Sequence, residues 1–283
     1  MNSFPEELRL NFGIYVDMLV KWLKSTFGEV FDAITEVILW FLLRVENLFV
    51  SLPWWLVLII VFVVSWKVKN ARSGIIYVFL IFLVGTFGLW IPMMSTLAIV
   101  LASVVISLLI GVPVGILMAY SDRTNVLLRP VLDAMQTLPS FVYLIPAIIL
   151  FGMGKVPAVF ASTIYAVPPL IRLTDLGIRN VSKEMVEAAH SFGSSNWQTL
   201  TKIQLPQALP TIMTGINQTT MMALAMVVIA SMIGAKGLGL EVLKSINRID
   251  IARGFEAGIC IVFLAIIIDR LSQSLADRFK YPQ

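Results

Sequence analysis

The feature that most constrains this chain is a set of apolar runs too long for a soluble core; the stretches 74 to 91 and 94 to 119 carry no Asp, Glu, Lys or Arg. A run of about 18 or more such residues can cross a bilayer as a helix, which satisfies its own backbone hydrogen bonds in lipid. Composition agrees: 58% of residues are hydrophobic and 13% charged, against roughly 45–50% and 25% in a soluble domain. The chain reads as an all-α, polytopic membrane protein. Seven spans are expected, over 53 to 67, 74 to 91, 94 to 119, 138 to 153, 156 to 171, 208 to 233 and 254 to 270. Trp54, Trp55, Trp66 and Trp90 fall near span ends, where interfacial anchors belong. Proline and glycine punctuate several spans, as in Gly111-Val112-Pro113-Val114-Gly115 and Pro168-Pro169, and neighbouring helices can satisfy the backbone groups this frees.

Residues 12 to 49 have a different character. Asp17, Lys21, Lys24, Gly28, Asp32 and Glu36 recur at helical spacing, opposite Phe12, Leu19, Trp22, Leu23, Phe27, Val30, Ile34, Val37, Ile38 and Phe41. That pattern predicts an amphipathic helix lying in the membrane interface. The alternative is an extra span from Ala33 to Val50, in which Glu36, Arg44 and Glu46 would be costly at bilayer depth. Pro53 closes the segment. Met1 to Asn11 carries Glu6, Glu7 and Arg9 without the basic and apolar regions of a secretory signal, so an unprocessed chain is expected.

Net charge is +4, but the basic residues are dispersed between apolar segments, which argues against nucleic-acid binding. The loops 67 to 73, 120 to 137 and 172 to 207, with the tail after 269, hold twelve of the 21 Lys and Arg residues. This excess weakly favours their side as cytoplasmic. Cys260, the single cysteine, lies in an apolar run and reads as a small hydrophobe.

The polar loop 172 to 207 is the informative region. Lys183 to Phe192 reads as a short helix with Ser182 as N-cap, and Gly193 suits the left-handed position that ends it. Ser195 and Gln198 resemble a capping box opening a second helix, which Pro206 would stop. Small residues at Ala188 and Ala189 would let another protein approach the backbone, and Glu187 offers a charge for it. Such a helical pair is either a docking element or a solvated hairpin.

Elsewhere, no G-x4-G-K-[ST] phosphate loop occurs, so ATP would have to bind another chain. His190 has no neighbouring ligand set and reads as a solvent-side residue rather than a metal ligand. The polar cluster Asn217-Gln218-Thr219-Thr220 interrupts the sixth span. Asn217, Gln218 and Thr220 would line a transport path or hydrogen-bond between helices. Met221, Met222 and Met226 beside them read as core packing. Gly237 and Gly239 form either an outward gate hinge or a plain loop.

The string Glu187-Ala188-Ala189, three residues, Gly193, nine residues, Ile203, one residue, Leu205-Pro206 resembles the EAA loop of binding-protein-dependent ABC importer permeases. The likeness covers roughly residues 94 to 275. It implies a type I importer fold, a cytoplasmic loop seated in a cleft of an ATPase subunit, and hence an outer N-terminus and an inner C-terminus. The stretches Gln136-Thr137-Leu138-Pro139-Ser140-Phe141-Val142-Tyr143-Leu144-Ile145-Pro146 and Ile233-Gly234-Ala235-Lys236-Gly237-Leu238-Gly239 are similar to the glycine betaine/proline group. The resemblance therefore implies an outer tail over 1–52, two family-specific spans over 53–93, the transport domain over 94–275 and a cytoplasmic tail over 276–283. It also implies a homodimer of permeases with two ATPases, an extracytoplasmic binding protein and an osmolyte such as glycine betaine. ATP and Mg would sit on the ATPase and no cofactor or metal on this chain. Choline, carnitine, proline or another amino acid are alternative solutes. A secondary transporter or channel, the rival class, would need a mid-membrane ion site that these apolar spans scarcely offer.

Overall fold

A computed structural model describes residues 11–278; the expectations for Glu6, Glu7, Arg9 and the last five residues of the tail lie outside the described residues. Among the described residues every regular element is helical. The order is α1 (Phe12–Ser51), α2 (Trp54–Val68), α3 (Ala71–Thr86), α4 (Trp90–Tyr120), α5 (Asp122–Thr137), α6 (Leu144–Phe151), α7 (Lys155–Arg179), α8 (Lys183–Ser191), α9 (Asn196–Thr199), α10 (Leu205–Ala230), α11 (Leu238–Arg248) and α12 (Ile251–Asp277).

Four stretches among these residues can cross a membrane unaided: Trp90–Tyr120, Lys155–Arg179, Asn196–Ile233 and Ile251–Asp277. Two pairs qualify only together, across bends of 100° between α1 and α2 and 108° between α5 and α6. The helical bundle expected from the sequence is therefore present, with fewer straight crossings than seven. The expected span 138 to 153 is the clearest correction. Pro139 keeps Leu138 extended (φ −62°, ψ 135°), so α5 ends there and α6 restarts at an angle with only 8 residues. At 1.5 Å per residue α6 is about 12 Å long, against roughly 30 Å of hydrocarbon. α7 corrects the other way. It continues past residue 171 to Arg179 because its polar end is paired: Arg172 with Asp133 of α5, and Arg179 with both Asp175 and Asp122 at 2.7 Å.

α4, α7 and α10 form the centre, and glycine sets how closely they approach. A Cβ added at Gly115 of α4 would come within 2.5 Å of Thr174 Cβ and 2.8 Å of the Ile171 carbonyl, both on α7. One added at Gly215 of α10 would lie 3.3 Å from the Leu170 Cα. Small residues thus replace side-chain interdigitation at these crossings, as in membrane bundles generally. The glycines of Gly111-Val112-Pro113-Val114-Gly115 are packing residues; the sequence showed them only as punctuation.

α1 is amphipathic as expected and lies across one end of this bundle. Its Phe31 ring meets Phe151 at the end of α6, at 5.6 Å between centroids. Ile38 and Leu42 are buried, and Glu46 accepts a hydrogen bond from Ser95 at 2.7 Å and pairs with Lys155. Ser95 and Lys155 stand at the starts of α4 and α7. The segment before Phe27, where the helix kinks (φ −116°, ψ 24°), is largely exposed. Ala33 to Val50 is therefore the half of α1 that docks on the bundle.

Candidate coupling surface and transport path

The opposite end carries the EAA loop, built from local hydrogen bonds. Ser182 Oγ accepts from the Met185 amide at 3.3 Å, capping α8 as the sequence predicts. The same hydroxyl donates to Glu184 Oε2 at 2.5 Å and holds that carboxyl below its ordinary pKa. α8 ends in a Schellman motif: the Ser194 amide reaches the Ala189 carbonyl at 3.1 Å and the Gly193 amide reaches the His190 carbonyl at 2.9 Å. Gly193 has φ +82°, the left-handed conformation foreseen. The His190 ring sits 3.2 Å from the Ser194 carbonyl through Nδ1, so it belongs to this corner. Ser195 and Gln198 then close a reciprocal capping box, at 2.9 and 3.3 Å.

Past the box the expectation fails. Pro206 does not stop the second helix, because residues Leu200–Gln204 form a π turn that runs straight into α10. The Leu205 amide bonds five residues back to the Leu200 carbonyl, and this wider turn accommodates a proline that lacks an N–H. Asn196–Ile233 is consequently one helical rod, so the loop runs without a break into a helix long and apolar enough to cross a membrane.

The motif residues do not all face outward. Glu187 and Ala188 are exposed while Ala189 is buried. Leu205 packs on the Leu170, Leu200 and Ala208 cluster, and Ile203 and Pro206 are half-buried beside it. Glu187 stands on the lip of a cleft of about 330 Å³ shared with Tyr120, Arg179, Lys183 and Gln204. Three exposed apolar residues were overlooked in the sequence: Phe192 (93% exposed), Trp197 (71%) and Met185 (47%). Aromatic residues in an otherwise polar loop were the available signal.

The polar cluster on α10 is dispersed around the helix, as 100° per residue requires. Asn217 Nδ2 donates to Asp269 of α12 at 2.8 Å, and Gln273 donates to the same carboxylate at 2.6 Å. Thr220 is buried with its hydroxyl on the Ile216 carbonyl at 2.7 Å, whereas Gln218 is exposed. Asn217 thus serves interhelical bonding, and Asp269 is its unforeseen partner. Met226 is fully buried, as core packing requires.

Gly237 is the N-cap of α11 and Gly239 lies in the first turn of that helix, both of them buried. The Leu238 amide donates to Thr96 Oγ1 at 2.9 Å. A Cβ on Gly237 would fall 2.6 Å from that oxygen, and one on Gly239 would fall 2.7 Å from the Val228 Cα.

Residues 111–281 match the family of binding-protein-dependent transport system inner membrane components. The glycine betaine/carnitine transport permease protein GbuB of Listeria monocytogenes is 47% identical over 94% of this chain and 95% of its own. The glycine betaine transport system permease protein OpuAB of Bacillus subtilis is 43% identical over 94% of each. The fold resembles a solved chain of the MetNI methionine ABC transporter, captured in inward-facing conformations. Its TM-score is 0.61 at 20% identity, over 66% of this chain and 94% of that one. The chain belongs to the inner-membrane components of binding-protein-dependent transport systems, the membrane subunits of ABC transporters.

Proposed function

We propose that this permease imports glycine betaine or a closely related quaternary-ammonium osmolyte, working as one of two copies with two separate ATPases and an extracytoplasmic binding protein. Relatives named for glycine betaine that cover nearly the whole chain support the solute class. The observation that carries the coupling role is the continuity of the EAA loop with α10. A force applied by a partner at Glu187, Ala188, Phe192 and Trp197 is delivered through the rigid Gly193 corner and the π turn at Ile203 to a membrane-crossing rod. On this reading the loop end is cytoplasmic, the end crossed by α1 faces outward, and Gly237 and Gly239 sit at the start of α11 on the outer side. ATP and Mg bind the partner ATPase, not this chain.

The test is uptake by the reconstituted complex. Labelled glycine betaine should accumulate only with ATP inside and binding protein outside, and unlabelled carnitine or choline should compete more weakly. Accumulation of an amino acid in preference to all three would reassign the solute while leaving the transporter reading intact. Stoichiometric nucleotide binding by the purified permease would overturn the division of labour.

A further inference from the structure

The α2–α3 hairpin lies outside the coupling and transport machinery. Its helices pack closely on each other, a Cβ on Gly74 falling 3.0 Å from the Phe62 ring. Tyr77, Ile81 and Val84 of α3 face inward and are buried. The outer face bears a groove of about 430 Å³ lined by Leu58, Ile59, Phe62, Ile75, Phe79 and Phe82 among others, with no polar lining. At the hairpin tip stand Lys67, Lys69 and Arg72, all exposed. None of the three is engaged through its side chain by a carboxylate among the described residues.

The spacing matches a phospholipid. Ile75 is three residues from Arg72 and Phe62 five from Lys67, so the cations lie about 5–8 Å beyond the groove along the helix axes. Hairpin length adds an independent reason. α2 and α3 have 15 and 16 residues, about 22–24 Å, which is less than the roughly 30 Å of a hydrocarbon core. The tip of so short a hairpin, with its other end anchored by exposed Trp54 and Trp55, falls short of the far headgroup layer. Its cations must reach outward or draw headgroups in. We infer that the groove and the Lys67, Lys69 and Arg72 tip form a seat for one anionic phospholipid, acyl chain in the groove and phosphate on the cations. The inference rests on membrane location alone and is independent of the solute.

The full chain, reconstituted in equal parts phosphatidylglycerol and phosphatidylcholine and then delipidated mildly, should retain phosphatidylglycerol in preference. One cation near an anionic surface contributes about five-fold, so K67Q/K69Q/R72Q should abolish the preference and R72Q alone should reduce it about five-fold. Phe79→Ala should lower the lipid retained without changing the headgroup preference. Unchanged preference in the triple variant would overturn the inference. Should that variant fail to insert, the wild type decides: its preference must fall as salt rises, and a flat profile would count against the seat. Disulfide cross-linking between copies through cysteine at Phe79, in a Cys260→Ala background, would show that a second copy covers the groove and would likewise overturn it.

Discussion

The EAA loop and the far end of this permease are held together in opposite ways. Within the EAA loop, from Ser182 to Gln198, the organising bonds join residues three to five positions apart: Ser182 with Met185, Ala189 with Ser194, Ser195 with Gln198. At the other end they join residues far apart in the chain. Glu46 meets Lys155, Thr96 meets Leu238, Gly154 meets Ile233 at 2.9 Å, and Arg253 reaches the Phe87 carbonyl at 2.7 Å. A locally bonded loop keeps its shape when the helices beneath it move, so it can act as a rigid handle. An end stitched across helices changes only when several contacts change together, as a two-arrangement element must.

The comparison breaks first at the stitched end. Gly239→Val places a side chain against Val228 Cα and the Val227 carbonyl, backbone atoms that cannot rotate away. A loss of about 3 kcal/mol is expected, seen as poor expression and a lowered melting temperature in detergent. Glu46→Ala comes next. It leaves the mostly buried Lys155 ammonium and the Ser95 hydroxyl without their carboxylate and should cost roughly 2 kcal/mol, most of it recovered in a Glu46→Leu, Lys155→Met double variant. Melting curves of the single and double variants decide whether this ion pair is a structural stitch. Equal melting of all three would make it incidental.

The same contrast explains what the sequence could disclose. The Ser182 cap, the Gly193 corner and the capping box were legible because every participant lies within a few positions and its residue type states its role. Helical periodicity likewise identified the amphipathic α1. It names a face, however, and not the neighbour that covers it, so the Glu46 pairing with Lys155 was invisible and Asp269 went unnoticed opposite Asn217. One span drawn through a proline and one proline reading failed, for opposite reasons. Pro139 bends the chain by more than a loosely defined span allowed, and Pro206, expected to stop a helix, is absorbed by a π turn. In each case the proline was visible, but the adjustment of the surrounding backbone was not.

In the locally bonded loop the effects should be small in stability and large in function. Gly193→Val meets no neighbour within 4 Å but must hold φ +82°, so strain of about 1 kcal/mol or more is expected. The corner between α8 and α9 would open, and the ATPase should no longer co-purify although the permease still inserts. Wild-type uptake at matched expression would show that the loop is a passive hairpin.

The smallest expected change in stability belongs to Phe192→Ser and Trp197→Ala, which sharpen the comparison most. Both side chains stand largely in solvent, so removing them should shift the melting temperature by no more than an ordinary surface substitution does, within about 0.5 kcal/mol. Exposed aromatic groups flanking a rigid corner have the character of interface anchors, whose truncation commonly costs a partner more than about 1–2 kcal/mol. Each variant should therefore bind the ATPase about five- to thirty-fold more weakly while the isolated permease melts as the wild type does. Glu187→Ala, which removes a charge at the cleft lip without bending the backbone, should fall between wild type and these two in co-purification. If Phe192→Ser and Trp197→Ala leave ATPase affinity unchanged, the partner does not grip the corner, and the coupling surface moves to the cleft bounded by Tyr120, Arg179, Glu187 and Gln204.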